Sequence, residues 1–156
     1  MESSTPALED PRLQQIEHEV VRHGRVSSLE EAASLRGVEP SAIIKTMVVR
    51  RSDDDFVFVL VPGDRVISWP KLRDLLGERR LSMPDADRAL AVTGYVRGTI
   101  TPFGSSRDLA VIADSRTTEG RVSIGGGAPG VSISLDGAEL ATLLDATVAD
   151  VTEHQA

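Results

Sequence analysis

Residues 43–61 read IIKTMVVRRSDDDFVFVLV. A β-branched apolar run covers 43–49, the polar cluster Ser52, Asp53, Asp54, Asp55 follows, and a second apolar run covers 56–61. Runs of this length rich in Val, Ile and Phe are strands, and the polar cluster between them closes an antiparallel hairpin. Pro62, Gly63 and Asp64 end it. Alternation puts Ile43, Lys45, Met47 and Val49 on one face of the first strand and Ile44, Thr46, Val48 and Arg50 on the other. Lys45 therefore stands among apolar side chains. Burying an unpaired ammonium is expensive, so the side chain either extends past a sheet edge into water or lines a cleft and meets an anion. The pattern alone does not choose between these.

On either side of the hairpin the signals are short. Upstream, Ser28, Leu29, Glu30 and Glu31 form a capping box that starts a helix running to Arg36, which Gly37 stops. Before it, Leu13, Ile16, Val20 and Val21 lie on a helical stripe within residues 8–23, and residues 1–7, MESSTPA, are expected to be unstructured. Downstream, Ser68 caps a helix through Leu72, Leu75 and Leu76 that Gly77 closes, and residues 84–92 form another helix ending near Gly94. Residues 109–113, 121–124 and 131–135 are short strands. Asp136 with Glu139 caps a helix carrying Leu140, Leu143 and Leu144, and residues 146–151 make a final strand. No repeat or linker divides the chain. It is expected to form one α+β domain over residues 1–156, built on a mixed, largely antiparallel sheet.

Composition agrees. The chain has 156 residues, 40% hydrophobic and 26% charged, enough for a core without staples. It has no cysteine, which excludes disulfide scaffolds, thiolate metal sites and cysteine nucleophiles. Aromatics make up 3%, so the core is aliphatic and base-stacking platforms are not expected. No apolar run approaches the roughly 20 residues a bilayer needs, and the start carries Glu2, Glu9 and Asp10 with no base, unlike a signal peptide. A cytoplasmic protein without membrane contact is expected. The net charge is -7, yet residues 36–107 hold 12 basic and 9 acidic side chains, a mildly basic middle between acidic ends.

Few residues suit catalysis. His18, His23 and His154 lie near the termini, and His18 and His23, five apart, stand about 140° apart around a helix, too far to chelate one ion. No metal site and no cofactor are expected. Residues 125–130, GGGAPG, satisfy G-x-G-x-x-G literally, but the strand-like VSISL follows where a dinucleotide fingerprint needs a helix, so the segment reads as a hairpin loop. Residues 94–104, GYVRGTITPFG, offer backbone donors and hydroxyls of the kind that hydrolyse an ester without a side-chain nucleophile, or form a turn.

Taken in order, these segments resemble the YbaK/prolyl-tRNA-synthetase-associated editing domain family. Ile44, Lys45, Thr46, Met47 is similar to its lysine strand, and Thr93 through Gly104 to its GxxxP loop, with Gly98 and Pro102 as the fixed ends. Gly126, Gly127, Gly130, the strand after them, and Leu140, Leu143, Leu144, Asp145 and Ala146 fit its tail. The resemblance implies a six-to-seven-stranded, barrel-like mixed sheet with flanking helices. It implies hydrolysis of the ester joining a wrong amino acid to tRNA, chiefly tRNA for proline, at the acceptor end, with prolyl-tRNA synthetase as a candidate partner. Lys45 would anchor the terminal nucleotide or its phosphate, Gly98 and Thr101 would belong to the catalytic loop, and Thr46, Tyr95, Thr99, Ile100, Pro102, Gly126, Gly127 and Ser132 would contact substrate.

Thr99, Thr101 and Ser132 depart from the family's usual glycine, serine and aspartate; the last points away from the cysteine-clearing subclass. With Met47, Ile100, Thr101 and residues 125–127 as an uncharged pocket, a small neutral acyl group such as alanine, serine or threonine is expected, Ser132 favouring a hydroxylated one. Two other readings stand beside this one: a non-catalytic tRNA- or synthetase-binding module on the same fold, and a small metabolic enzyme using Lys45 as a Schiff-base amine.

Overall fold

The computed structural model describes residues 4–155. The strands are β1 (Glu19–Arg22), β2 (Ile43–Ser52), β3 (Asp55–Pro62), β4 (Arg65–Ile67), β5 (Ala110–Asp114), β6 (Arg121–Gly125), β7 (Val131–Asp136), β8 (Thr147–Ala149) and β9 (Thr152–His154). The helices are α1 (Leu29–Arg36), α2 (Trp69–Leu76), α3 (Ala86–Thr93) and α4 (Gly137–Leu143). Seven strands form one mixed sheet in the order β1-β7-β6-β2-β3-β5-β8, and β4 with β9 makes a separate ribbon. In the large sheet β1/β7, β6/β7 and β2/β3 are antiparallel while β2/β6, β3/β5 and β5/β8 are parallel. The ribbon adds one more antiparallel pair.

The β2–β3 hairpin is the centre of the sheet. β3 is apolar along its length because both its faces are covered. Phe56, Phe58 and Leu60 join Ile44, Val48, Ile124, Ile133 and Leu135 in the larger core, while Val57, Val59 and Val61 join Val49, Leu72, Ile112 and Val151 in the smaller one. α4, residues 92–103 and the N-terminal segment cover the first face; α2 and the β4–β9 ribbon cover the second. The expected caps form. Ser28 Oγ accepts from Glu31 N, Asp136 from Glu139 N, and Gly37 and Gly77 close α1 and α2 with left-handed backbones. Ser68 occupies the N-cap of α2 without a side-chain bond.

Three expectations need correction. The stripe in residues 8–23 is not a helix: Asp10 caps a 3-10 turn over Pro11–Gln15, and β1 follows, paired Glu19↔Ser134 to Arg22↔Val131. Leu13 and Ile16, three apart, suit the tighter turn, and adjacent β-branched Val20 and Val21 find a free strand edge to pair with. The start is ordered sooner than expected. Met1, Glu2 and Ser3 lie outside the described residues, but Thr5 and Ala7 are buried, and Thr5 Oγ1 donates to Gly126 O at 2.6 Å. Finally, the C-terminal segment carries two three-residue strands, β8 and β9, where one was expected, and β4 was not foreseen. Among the described residues no helix is long and apolar enough to cross a membrane.

Candidate active site

β2 and β6 pair only at Ile43↔Ser123 and Ile44↔Ile124, after which the strands part. Gly63 N donates to Ile43 O, which fixes the ladder's phase: residues 45, 47 and 49 turn their main-chain groups toward β3, and residues 46, 48 and 50 turn theirs away. Arg50 confirms the phase by exchanging bonds with Ser82 at 2.7 and 3.2 Å. Between Ile44 and Arg50, then, Thr46 and Val48 present N–H and C=O groups to a gap. That gap is a cleft of about 660 Å³, within the size of ordinary small-molecule sites. Thr46, Met47, Gly125, Ile100, Gly98 and Ala89 line it, together with the charged Arg36, Lys45, Arg97 and Asp85. A neighbouring concavity at Arg50, Asp53, Asp54 and Arg88 is lined by charges already paired with one another.

Lys45 Nζ donates to Arg65 O at 2.6 Å. Burial pulls the ammonium below its ordinary pKa, with the Asp64 carboxylate opposing, and no carboxylate bonds it. The carbonyl it holds is itself fixed, because Arg65 pairs with His154 and its guanidinium donates to Thr152 Oγ1 and O. The lysine is thereby extended along the cleft wall with further N–H donors unused.

Opposite it runs the loop of residues 95–103. Thr99 N donates to Val96 O at 3.0 Å, closing a turn in which Gly98 is the third residue with φ +90°, the left-handed region a type II turn requires there. The two ends are joined by Tyr95 Oη donating to Phe103 O at 2.6 Å. Burial first, and then the charge of Asp10, pushes the phenol up to about 12, with the Ala7 backbone opposing, so it stays a donor. The N-terminal turn braces the far end: Asp10 accepts from Gly104 N at 2.9 Å and from Arg12, while Arg12 donates to Pro102 O and stacks over Phe103. Burial raises the Asp10 pKa, but the bonds from Arg12 and Gly104 outweigh it and hold the carboxyl below its usual value.

Of the residues singled out in the sequence, the structure brings Lys45, Thr46, Gly98, Ile100, Met47 and Gly125 together in one cleft. Others stand behind its wall. Tyr95, Thr99 and Thr101 are buried in the loop's interior, and Thr99 N–H is spent in the turn. Pro102 has no N–H to give. Gly126 and Gly127 pack on Val131, Tyr95 and Ala7. Ser132, the second residue of β7, is wholly buried, its hydroxyl 3.5 Å from Val21 O, with β1 and β6 on either side. It is not among the cleft's lining residues. The loop's N–H groups that both line the cleft and have no acceptor among the described residues are those of Arg97, Gly98 and Ile100. Thr46 Oγ1 and Thr101 Oγ1 are buried without a hydrogen-bond partner among the described residues, which leaves Thr46 as a hydroxyl at the cleft in want of a partner. Arg36 was not foreseen in the cleft, and nothing in its local sequence marks it.

The sequence profile of the aminoacyl-tRNA editing domain matches residues 23–143. The chain belongs to this family. Much longer proteins are also similar to this chain. The proline–tRNA ligase of Desulforamulus reducens is 36% identical over 105 residues, covering 67% of this chain and 18% of the ligase. That of Bacillus velezensis is 36% identical over 89 residues, covering 57% of this chain and 16% of the ligase. The chain thus spans less than a fifth of the length of these ligases. A solved structure described as a candidate trans-editing enzyme for prolyl-tRNA synthetase superposes with a TM-score of 0.83 at 25% identity, covering 97% of this chain and 99% of that one. A hypothetical protein superposes with a TM-score of 0.81 at 25% identity over 90% and 94%. The editing-domain fold is therefore common to all three solved or computed chains, with a mixed sheet and flanking helices.

Proposed function

We propose that this editing domain acts in trans as a deacylase, hydrolysing the ester of a tRNA, foremost tRNA for proline, mischarged with a small neutral amino acid. The observation that supports the reading is the cleft itself, whose lining includes both Lys45 and the loop residues Gly98 and Ile100, whose N–H groups have no acceptor among the described residues. A cation in a cleft suits the phosphate of a terminal nucleotide, and paired backbone donors suit an oxyanion. Water attacks the acyl carbonyl; the carbonyl oxygen takes the negative charge and rests on Gly98 and Ile100. As the intermediate collapses, the bond to the terminal ribose oxygen breaks, that oxygen takes a proton, and the free amino acid leaves.

The cleft's lining holds no histidine, and its one carboxylate, Asp85, caps α3 by accepting from Arg88 N at 2.8 Å. Proton removal from the water therefore falls to the substrate's own ribose hydroxyl or amino group. No metal takes part in this scheme, so activity survives EDTA. Met47, Ile100 and Gly125 leave an uncharged acyl site, and size exclusion sets selectivity, since one methylene in an apolar site is worth only about 1–3 kcal/mol. Ser132 is wholly buried, and Thr46 Oγ1, buried at the cleft without a partner among the described residues, is the hydroxyl that would favour a hydroxylated acyl group.

The test is single-turnover deacylation of tRNA for proline carrying alanine, serine, threonine, cysteine or proline. Hydrolysis of one of the first three at least tenfold faster than of proline is expected. Cysteine released fastest, or proline at the same rate, overturns the specificity. A protein that binds all five and releases none is a binding module.

A further inference from the structure

Arg65, the first residue of β4, carries a buried guanidinium that bonds no carboxylate among the described residues. Burying such a group is costly unless its donors are met. Here β9 meets all three nitrogens: Nε donates to Thr152 Oγ1 at 2.8 Å, Nη2 donates to Thr152 O at 3.2 Å, and Nη1 lies 3.4 Å from both ring nitrogens of His154. A fork held at three points fixes the residue that bears it. The main-chain oxygen of that residue is the acceptor of Lys45 Nζ.

Thr152 is tied in turn. Its hydroxyl accepts from Arg65 and donates to Asp114 Oδ1 at 2.9 Å, and the same oxygen of Asp114 accepts from Val151 N at 3.0 Å. Asp114 ends β5, is fully buried, and has Arg116 as its countercharge. Alternation puts Asp114 on the face of β5 that Ile112 gives to the smaller core, and Lys45 on the face of β2 that Val49 gives to it. Lys45 stands opposite Val61, and Asp114 comes one residue after the Leu60–Ala113 pair, so the two end one row of side chains across β2, β3 and β5. Val61 separates them in that row. The bonds Asp114–Thr152–Arg65–Lys45 join them around it. Thr152 and His154 lie outside residues 23–143, the stretch that the editing-domain profile matches.

We propose that Thr152 is a positioning residue for Lys45: its hydroxyl, anchored on Asp114, holds the Arg65 fork, and the fork holds the carbonyl that keeps the ammonium at the cleft. This rests on the reading that Lys45 meets the charge of an aminoacyl-tRNA there. Thr152 touches no substrate and acts only through Arg65.

The chain has two lysines, Lys45 and Lys71, so the Lys45 side chain can be followed by NMR in the whole protein, with Lys71→Arg assigning the signals. A carbonyl that accepts from an ammonium favours its charged form. In Thr152→Val, which keeps the shape of the side chain but not its hydroxyl, Lys45 is therefore expected to titrate at lower pH than in the wild type. KM for alanylated tRNA for proline should rise about two- to tenfold, the loss of one ordinary hydrogen bond, with kcat changing less. Thr152→Ser keeps the hydroxyl and should restore both. If Thr152→Val does not fold, Arg65→Gln, which loses the fork but keeps the main-chain oxygen, decides by the same readouts. A folded variant whose Lys45 titrates as in the wild type overturns the proposal even if it melts lower, because Thr152 then only stabilises the ribbon. Thr152→Ser behaving like Thr152→Val overturns it as well. The titration needs no hydrolysis, so the two readings fail separately. A moved titration in a protein that releases no amino acid, or in an active one whose KM stays put, keeps the brace and denies Lys45 its substrate; an active enzyme whose Lys45 titration ignores Thr152→Val does the reverse.

Discussion

Lys45 sits in the cleft because β2 alternates strictly, and it stays extended because Arg65 O accepts its proton at 2.6 Å. Its ammonium is held below the ordinary value of 10.5 by burial. Between neutrality and 10.5 it therefore loses its charge earlier than a surface lysine would, and KM for aminoacyl-tRNA should rise over that range. In Lys45→Arg the guanidinium stays charged and any residual KM should stay flat; a flat profile in the wild type would argue that Lys45 does not bind the substrate's charge. Lys45 was legible from sequence because a lone cation in an apolar alternating run conflicts with burial. Arg36 was not, since an arginine closing a helix is ordinary and only the fold turns it onto β6. For Ser132 alternation gives the face but not the cover: with β1 and β6 paired on either side of β7, its side chain is wholly buried.

Among the elements, the loop of residues 95–103 depends most on contacts distant in sequence. Tyr95 joins its two ends, and Asp10 and Arg12 hold it from the N-terminal turn. Tyr95→Phe removes the bond to Phe103 O and leaves that carbonyl unpaired in the core, at a cost of about 1–3 kcal/mol. A Tm lower by several degrees is expected in a thermal melt, together with a drop in kcat larger than the change in KM, because Gly98 and Ile100 lose their fixed place. Equal melting and equal kcat would show that the Tyr95 bond does not hold the loop. The hairpin, α1, α4 and the glycine-rich turn were legible because each carries its own signal, a period, a cap or a hairpin spacing. The short strands β4, β8 and β9 have three residues each, too few for a period, and β1 exists because the edge of β7 accepts it.

At the scale of the molecule, two layers of apolar packing meet on β3, and buried polar ties hold the periphery to them. Asp114, fully buried, accepts from Val151 N and Thr152 Oγ1 and so tethers the β4–β9 ribbon behind Lys45. Asp150 bonds Lys71 and Arg116, which hold its pKa down to about 2, and Asp10 is likewise held below 3.8. A carboxyl whose folded value lies below its unfolded one stabilises above the unfolded value and ceases to as pH falls through the folded one. Stability should therefore decline from 3.8 toward 2, and Asp150→Asn should start lower at neutral pH and decline less steeply over that interval. Parallel melting curves for variant and wild type across the range would contradict it. The most direct test of the whole account is single-turnover release of alanine from mischarged tRNA for proline by wild type and Lys45→Ala, both verified as folded. Rapid release by the wild type, slowed roughly 10- to 100-fold in the variant, is expected from the loss of one contact to a charged group, about 1.5–3 kcal/mol; equal rates for the two proteins, or no release by the wild type, would contradict it.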